Sequence, residues 1–357
     1  MNHSKSSHYH TLDGLRGVAA GAVVLGHLGG PLSPIPVSFH YLAVDLFFVL
    51  SGFVLAHAYE GKILGGLKTS TFMMIRLRRL YPLYIAGTLL GVLQIFATIG
   101  ATVPVASLLS STFLSILILP TFFSVTPEPW LFPLNVPAWS LFMELATNLG
   151  LVLIWKRLTN RMLSGLLVVL GITQLALILR HGGASFGIVG DEFLAGLLRA
   201  SFGLLLGVGL SRLPKNSVRS SQTAWLLLGA LCITFLPIGL NSASLRDVLF
   251  SFVLLPALVL LASRIEPGRV GAKTFAVLGR LSYPLYVTHF PLMFLILGTL
   301  KHIHPPLIGS AIGGTISFIG CVIFAWLADR WFDQPVRRLL NERRKRQELV
   351  GNGEIVV

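Results

Sequence analysis

The feature that most constrains the fold of this chain is a series of ten apolar runs, each 17 to 24 residues long. Runs of this length cross the hydrocarbon core of a bilayer as α-helices. Charged residues make up 12% of the 357 residues, about half the share found in soluble domains, and mean hydropathy is +0.78. We therefore predict an all-α integral membrane protein, a polytopic bundle of about ten transmembrane helices. The predicted spans are 12–30, 41–59, 82–100, 137–155, 163–179, 193–211, 223–240, 247–263, 275–298 and 308–329.

An eleventh apolar run, at 107–124, differs from the others in composition. It holds five serines, contains Pro120 and is followed by further prolines. If it crossed the membrane, the later basic loops would lie outside. We therefore predict one re-entrant or interfacial helix here on the outer face, because non-spanning segments are tolerated at membrane depth when they are buried in protein.

The distribution of basic residues predicts the orientation. With ten spans and a cytoplasmic N-terminus, 22 of the 28 Lys and Arg residues fall on cytoplasmic segments and three on external ones. This asymmetry follows the positive-inside rule. We expect a multi-pass protein of the bacterial inner (cytoplasmic) membrane with both termini in the cytoplasm. Its predicted domains are a transmembrane domain at 1–330 and a basic cytoplasmic tail at 331–357. The two cysteines lie in apolar runs without metal-ligand spacing, and no metal site is predicted.

Ionisable residues inside the spans are the candidates for function, because a charge at the centre of a membrane helix costs about 2.5–3.5 kcal/mol. Arg16 and His27 are eleven residues apart in the first span. Eleven residues make about three helical turns, so both lie on one helix face, about 16 Å apart along the axis. Such a stripe suggests a lined cavity, while snorkelling of Arg16 and burial of His27 in the bundle are the structural alternative.

Three further spans contribute ionisable residues at a depth comparable to His27. These are Asp45, Glu144 and His289, each predicted in the outer half of its span. Histidine and carboxylate together suit general acid–base chemistry. A structural network or a transport pathway would also use such residues. Ser51 and Gly52 lie near the middle of the second span, where small residues permit close approach of a ligand or a helix.

Two arginines mark the cytoplasmic end of the third span. Arg76 and Arg79 are three residues apart and share a helix face. A guanidinium group binds phosphate bidentately, so the pair suits an anionic ligand. Topological anchoring by the positive-inside rule explains the same residues equally well.

The order of these motifs resembles the acyltransferase-3 family of bacterial membrane-bound O-acyltransferases. The resemblance covers about 330 residues. It rests on Arg16 and His27, on the segment 44–53 (VDLFFVLSGF), on Arg76 and Arg79, on Trp139, Ser140 and Glu144, and on the segment 281–290 (LSYPLYVTHF). It implies transfer of an acyl group, usually acetyl, from a cytoplasmic acyl-CoA-type donor to a hydroxyl of a polysaccharide, lipopolysaccharide or related glycan acceptor at the outer side. No bound cofactor is expected, and nucleic acid is not an expected partner.

Roles for the candidate residues follow from this resemblance and from their chemistry. We predict His27 as the base that takes the hydroxyl proton, since its unperturbed pKa is about 6.5. Arg16 supports the donor end, and Glu144 or Asp45 orients the imidazole. A covalent acyl-histidine and a Ser51 acyl relay are open alternatives. The predicted donor-binding residues are Arg76, Arg79, Ser51 and Gly52. The predicted acceptor or cavity-lining residues are Trp139, Ser140, Tyr286 and His289.

A secondary transporter of an anionic or sugar-linked solute is the main alternative. It would also place histidine, arginine and carboxylates inside a ten-span bundle. Transporters often contain internal repeats, and no repeat between the two halves is evident in this sequence. A scaffolding membrane protein is the third class, but it does not explain four ionisable residues in one layer.

Overall fold

The computed structural model describes residues 8–98, 102–214, 217–238, 242–340 and 342, and these residues form an almost entirely helical protein. Two short strands, β1 (Val218–Arg219) and β2 (Ile265–Glu266), pair in parallel. The helices are α1 (His10–Leu28), α2 (Leu42–Leu64), α3 (Thr69–Thr98), α4 (Val105–Ile116), α5 (Ala138–Ile154), α6 (Asn160–His181), α7 (Phe193–Arg212), α8 (Ser221–Thr234), α9 (Ala243–Leu249), α10 (Leu255–Ala262), α11 (Arg269–Ile303) and α12 (Ala311–Ala328). π-helical turns join α9 to α10 (Phe250–Leu254) and extend α12 (Asp329–Asp333).

Local sequence signals begin and end these helices. Thr159 caps the start of α6 by accepting a hydrogen bond from the Met162 amide, and Ser310 caps α12 through the Gly313 amide. Gly182 ends α6 in the left-handed conformation, with φ of 72°. The apolar runs therefore carry their own boundaries even though their lengths differ from those predicted.

Each predicted span contains a helix of the structure. Among the described residues, eight helical segments are long and apolar enough to cross a membrane. The helix α8, with 14 residues, is shorter than these eight, and α1 is not among them. The structure confirms an all-α polytopic membrane protein, while the number of ten crossings stays a prediction.

Helix α1 lies against α11, and the two run in the same direction. Arg16 contacts Ser282 near the start of α1, and His27 contacts His289 near its end. The close approach requires Gly17, because a Cβ atom there would lie 2.4 Å from the Cβ of Leu278. The first and ninth predicted spans thus form one unit that carries both stripes of polar residues.

A second close pair, α2 with α7, also runs in one direction. A Cβ atom on Gly52 would lie 1.9 Å from the carbonyl oxygen of Leu204, and one on Gly207 would lie 2.0 Å from that of Val49. These glycines allow the two backbones to touch. The prediction that Gly52 binds the donor is therefore corrected: the residue is a helix-packing glycine.

The segment predicted as re-entrant is confirmed as a non-spanning helix. Leu108 of α4 packs near Ile95, and further along α4 the Ser115 carbonyl accepts a hydrogen bond from the Tyr84 hydroxyl at 2.6 Å. Helix α4 therefore descends along α3 for about eleven residues of that helix. The chain then returns through 117–137 without a helix, and Leu131 donates its amide to the carbonyl of Ile188.

The third predicted span begins too late. Helix α3 starts at Thr69 and not at 82, because Pro82 is accommodated inside it. Arg76 and Arg79 consequently lie within a 30-residue helix. In the predicted tail, helical structure continues to residue 340. Residues 341 and 343–357 lie outside the described part of the chain.

Candidate active site

A cavity of about 820 Å³, including the space at its mouth, lies among α2, α3, α5 and α11, with Arg16 of α1 at its edge. Its wall combines aromatic and aliphatic side chains with convergent polar groups, as is usual for a small-molecule site. Its polar lining residues are Arg16, Ser51, Arg76, Arg79, Ser140, Glu144, Ser282, Tyr283 and Tyr286. Of the twelve residues predicted for the site, seven line this cavity.

Glu144 and Arg76 form an ion pair in the cavity wall. The Ser51 hydroxyl donates to the Glu144 carboxylate at 2.6 Å, and an Nη atom of Arg76 lies 3.3 Å from the Ser51 oxygen. The prediction that Arg76 lies at the membrane edge is therefore wrong, because the residue is buried at the level of Ser51 in mid-bundle. Glu144 neutralises Arg76 and does not contact a histidine.

Arg16 is held by α11 on one side of the cavity. Its Nε donates to the Ser282 hydroxyl at 2.8 Å, and its Nη2 donates to the Gly279 carbonyl at 2.7 Å. Asp13 lies 3.4 Å away, one turn earlier on α1. These contacts fix the guanidinium plane of Arg16 at the cavity.

Arg79 differs from its two neighbours in the cavity because it is exposed and unpaired. No carboxylate of the described residues lies within ion-pair distance of it. With Glu144 paired to Arg76 and Asp13 beside Arg16, the three cavity arginines face two carboxylates, and Arg79 leaves a surplus of one positive charge. An anionic ligand such as a phosphate is the natural complement to this surplus.

His27 lies against His289, outside the cavity lining. The Nδ1 of His27 is 3.0 Å from the Nε2 of His289, and the Nδ1 of His289 faces the backbone carbonyls of Leu285 and Tyr286 at 3.1 and 2.9 Å. Because a carbonyl only accepts, His289 carries its proton on Nδ1 and its Nε2 accepts from His27. The Nε2 of His27 is then left with a free lone pair, as a general base requires.

His27 is oriented by His289 and by a backbone hydrogen bond to Val23. Among the described residues neither Glu144 nor Asp45 hydrogen-bonds to it, so the expected histidine–carboxylate pair is not formed. His289, predicted only as a lining residue, takes that position. The two carboxylates are already neutralised by arginines, and this is the physical reason for their absence from the imidazole.

His40 was missed by sequence reasoning. Its ring packs beside His27, with ring centroids 5.0 Å apart, and a Cβ atom on Gly26 would collide with it. Burial lowers the pKa of His40 to about 4, so the ring is neutral at physiological pH. It lies in the connection between α1 and α2, where no membrane-depth argument draws attention to a histidine.

Tyr286 separates the cavity from the histidines. Its hydroxyl is 2.7 Å from that of Ser140, and its ring centroid is 6.1 Å from that of His289. Phe47 packs edge-on against the same tyrosine ring. The arginine-lined cavity and the histidine pair are therefore adjacent regions with Tyr286 at their boundary.

Asp45 belongs to a separate, fully buried ion pair. Arg199 of α7 donates to both of its carboxylate oxygens at 2.8 and 2.9 Å, and also to the carbonyls of Phe186 and Tyr41. Trp139 lies against the same guanidinium, 5.8 Å from its ring centroid, and is not in the cavity lining. Arg199 itself was missed as a site-level residue, although an arginine inside an apolar run is the signal that reveals such partners.

One cluster of potential metal ligands occurs among the described residues. His8, His10 and Asp13 place their ligand atoms within 4.8 Å of one another at the start of α1. Asp13 is already paired with Arg16, and the cluster is apart from the cavity lining. The arginines of the cavity are instead suited to the phosphates of a donor substrate.

Fold and site together define a polytopic membrane protein that holds a cationic cavity next to a buried histidine pair. A family model described as an acyltransferase domain, that of the acyltransferase-3 family, matches residues 9–330. This chain belongs to the acyltransferase-3 family, and it is an acyltransferase of class EC 2.3.1. This confirms the resemblance drawn from the sequence, and it leaves the transporter alternative without support.

Two curated proteins are similar to parts of the chain. "Protein 2 in picA locus" of Rhizobium radiobacter is 39% identical over 160 residues, which cover 42% of this chain and 83% of that protein. "Acyltransferase MdmB" of Streptomyces mycarofaciens is 33% identical over 121 residues, which cover 34% of this chain and 29% of that protein. No solved structure matches the chain.

Proposed function

We propose that this membrane acyltransferase moves an acyl group, acetyl in the simplest case, from a cytoplasmic acyl-CoA donor to a hydroxyl of a glycan or related acceptor. The observation that carries the proposal is the placement of Arg16 and His27 on one face of α1. Arg16 lines the cationic cavity and His27 contacts His289, about 16 Å further along the helix. Donor phosphates and the reacting thioester are separated by a long flexible arm, which fits this spacing.

The donor binds with its phosphates at Arg79 and Arg16. The surplus of positive charge supports this assignment, because Arg76 is already neutralised by Glu144. The acyl arm then runs along Phe47 and Tyr286 toward His27, and Tyr286 must turn to open the path.

In the transfer step the acceptor hydroxyl attacks the thioester carbonyl. The Nε2 of His27 takes the hydroxyl proton, a new ester C–O bond forms and the C–S bond breaks. The proton passes from His27 to the leaving thiolate, so the products are the acylated acceptor and free CoA thiol. His289 holds the His27 tautomer through the hydrogen bond at 3.0 Å.

The two sides of the reaction follow from the predicted orientation. The first and last helices of the described chain have their terminal segments at one end of the bundle. At the start, the His10 amide donates to Glu266 of β2, just before α11; near the end, Asp329 contacts Arg280 in the first half of α11. The basic residues concentrate at this end, which the positive-inside rule assigns to the cytoplasm of a bacterial inner membrane. The acceptor then approaches from the opposite, external side, where the histidines lie.

The test replaces His27 by alanine in the full chain and compares it with His302→Ala, which removes an exposed histidine near the end of α11. We expect His27→Ala to reach wild-type membrane levels and to lose acyl transfer by about 10²-fold or more. His302→Ala should retain activity. Transfer is measured by mass analysis of surface glycans from a deletion strain carrying each variant. Near wild-type acylation by His27→Ala would refute the mechanism and make His289 the next candidate base.

A further inference from the structure

A second, polar cleft lies on the cytoplasmic half of α11 and α12, outside the cavity described above. It has a volume of about 670 Å³, and Arg280 of α11 faces the extension of α12 across it. Its lining residues are Arg280, Trp326, Asp329, Arg330, Gln334 and Arg338. None of these residues lines the candidate active site.

The π-helical turn at Asp329–Asp333 builds one wall of this cleft. Trp326, Arg330, Gln334 and Arg338 follow one another at intervals of four residues. In a regular α-helix such a series drifts by about 40° at each step. The π-turn rotates less per residue and offsets part of the drift, so the four side chains share one face.

The charges of the cleft are not balanced by protein. Asp329 is buried and already engaged, with Arg280 at 3.4 Å and with the amide of Gln334 at 2.7 Å. Arg330 and Arg338 are exposed, and neither lies within ion-pair distance of a carboxylate of the described residues. Two guanidinium groups thus line one polar opening without a carboxylate partner among the described residues, and their donors are available to an anion.

The surroundings of the cleft are those of a membrane surface. Trp326 is 40% exposed and Trp331 is 70% exposed, and aromatic residues at such positions mark the level of the lipid headgroups. Arg330 lies over the Trp326 ring at 5.6 Å. On the next turns of α12 toward the bilayer centre, Ile323 and Ile319 are both about half exposed, as a lipid-facing surface requires.

We propose that this cleft binds the phosphate of an anionic phospholipid headgroup. Arg330 and Arg338 donate hydrogen bonds to the phosphate, and the acyl chains follow the exposed isoleucines of α12. The apolar face favours a lipid over a free nucleotide, because a lipid whose headgroup binds in the cleft also places its acyl chains against the exposed isoleucines. Basic pockets between transmembrane helices on the cytoplasmic side are suited to such headgroups.

Binding at this cleft would also steady the helix that follows the π-turn. Arg337, next to Arg338, pairs with Asp333 and interacts electrostatically with Arg79 and Tyr283 of the active-site cavity. The segment 329–340 therefore connects the lipid-facing cleft with the mouth of the cavity. Lipid binding itself does not depend on the proposed acyl-transfer mechanism and is tested separately from it.

The experiment compares lipid binding by the full-length protein and the double variant Arg330→Gln/Arg338→Gln. The matched control is Arg269→Gln/Lys273→Gln, which removes two exposed positive charges from the same end of α11. Each protein is reconstituted in nanodiscs of phosphatidylcholine with increasing phosphatidylglycerol. Retained lipids are then counted by native mass spectrometry, and acetyl-CoA affinity is measured in parallel.

We expect phosphatidylglycerol binding to weaken about thirtyfold in the cleft variant. Each arginine near the membrane surface contributes ~1 kcal/mol to lipid binding, and the variant removes two of them. The control should change little, and acetyl-CoA affinity should be unchanged in both. Arg330→Lys/Arg338→Lys should retain part of the binding, because it keeps the charge. Equal losses in cleft variant and control would overturn the proposal in favour of general attraction. Loss of acetyl-CoA affinity with unchanged lipid binding would overturn it in favour of a donor-phosphate subsite.

Discussion

Two of the arginine–carboxylate pairs in this helix bundle, Asp45–Arg199 and Glu144–Arg76, differ in what surrounds them. Arg199 bonds both oxygens of Asp45 and two backbone carbonyls, and the pair is almost completely buried. Arg76 pairs with Glu144 beside an open cavity in which Arg79 has no carboxylate partner among the described residues. Both pairs were flagged in the sequence by a charged residue inside an apolar run, so charge alone does not separate them.

The difference teaches that two features separate the pairs: how many donors of the arginine are used by protein groups, and whether an arginine without a carboxylate partner lies nearby. A guanidinium whose N–H groups all donate hydrogen bonds to protein groups has no donor available for a ligand. A group of arginines that outnumber their carboxylates at a cavity creates a field for an anion. The predictions below test this distinction, from the largest expected effect to the smallest.

The Asp45–Arg199 pair should control stability. Arg199→Met leaves Asp45 buried and unpaired, and we expect the free energy of unfolding to fall by about 3–5 kcal/mol. Adding Asp45→Leu removes the orphaned charge and should restore most of the loss. Thermal unfolding in detergent measures both. If the double variant is as unstable as the single one, the network does more than neutralise a buried charge.

Arg79 should control donor binding with little effect on stability. Removing one charge-assisted contact costs about 1.5–3 kcal/mol, so Arg79→Ala should bind acyl-CoA roughly 10- to 150-fold more weakly. Lysine should rescue only part of this loss because it lacks the bidentate fork. Arg78→Ala is the matched control, since Arg78 is the adjacent basic residue and does not line the cavity. Equal donor affinities in the two alanine variants would reduce Arg79 to a topology anchor.

The hydrogen bond between the hydroxyls of Tyr286 and Ser140 involves no charged group, so its contribution to stability can be compared with those of the ion pairs. Tyr286→Phe removes a hydroxyl that lies 2.7 Å from the Ser140 oxygen. We expect a loss of about 0.5–1.5 kcal/mol in the free energy of unfolding. A double-mutant cycle with Ser140→Ala isolates this pair. A coupling energy near zero would show that the two hydroxyls do not stabilise each other.

Glu266, in β2 and outside the membrane segments, shows what burial does to a carboxylate that forms no ion pair among the described residues. Burial raises its pKa to about 7, and Asp13 adds to the rise, while the His10 amide and Arg219 oppose it. Its protonated form is therefore favoured by folding. The contribution to stability is full below the unfolded pKa of about 4.5 and is lost as pH rises through about 7. In Glu266→Gln the unfolding midpoint should vary less over this pH range. Parallel pH profiles for the two proteins would contradict the assignment.

Much of the fold was predictable because the hydropathy of a segment indicates whether its helix lies in lipid or in water. The positions of the apolar helices and the exceptional character of 107–124 follow from composition and basic-residue bias. The start of α3 did not follow from the sequence. Pro82 predicts a helix boundary, but the helix continues through it because of packing against its neighbours. The tight α2–α7 contact at Gly52 was also hidden, because a glycine for packing and a glycine for a ligand look alike in sequence.

The site was predictable in its members and not in its pairings. Seven of the twelve proposed residues line one cavity, and His27 meets His289. The partners of Asp45 and Glu144 depend on how helices rotate against each other, which a single sequence does not specify. Arg199, like Arg16, is an arginine within an apolar run, which is a signal visible in the sequence. His40 gave no such signal because it lies in the segment that connects α1 to α2.

The packing of α1 on α11 has a consequence for the order of events during synthesis. Arg16 leaves the ribosome 266 residues before Ser282, to which it donates a hydrogen bond. At about 5–20 residues per second, this interval lasts roughly 13–53 s. Throughout that time α1 lies at the translocon or in lipid, and Asp13 of the same helix is the acidic partner available to Arg16. Assembly of the α1–α11 contact is thus a late event in biogenesis, and nascent chains that stop before α11 should be preferred targets of membrane proteases.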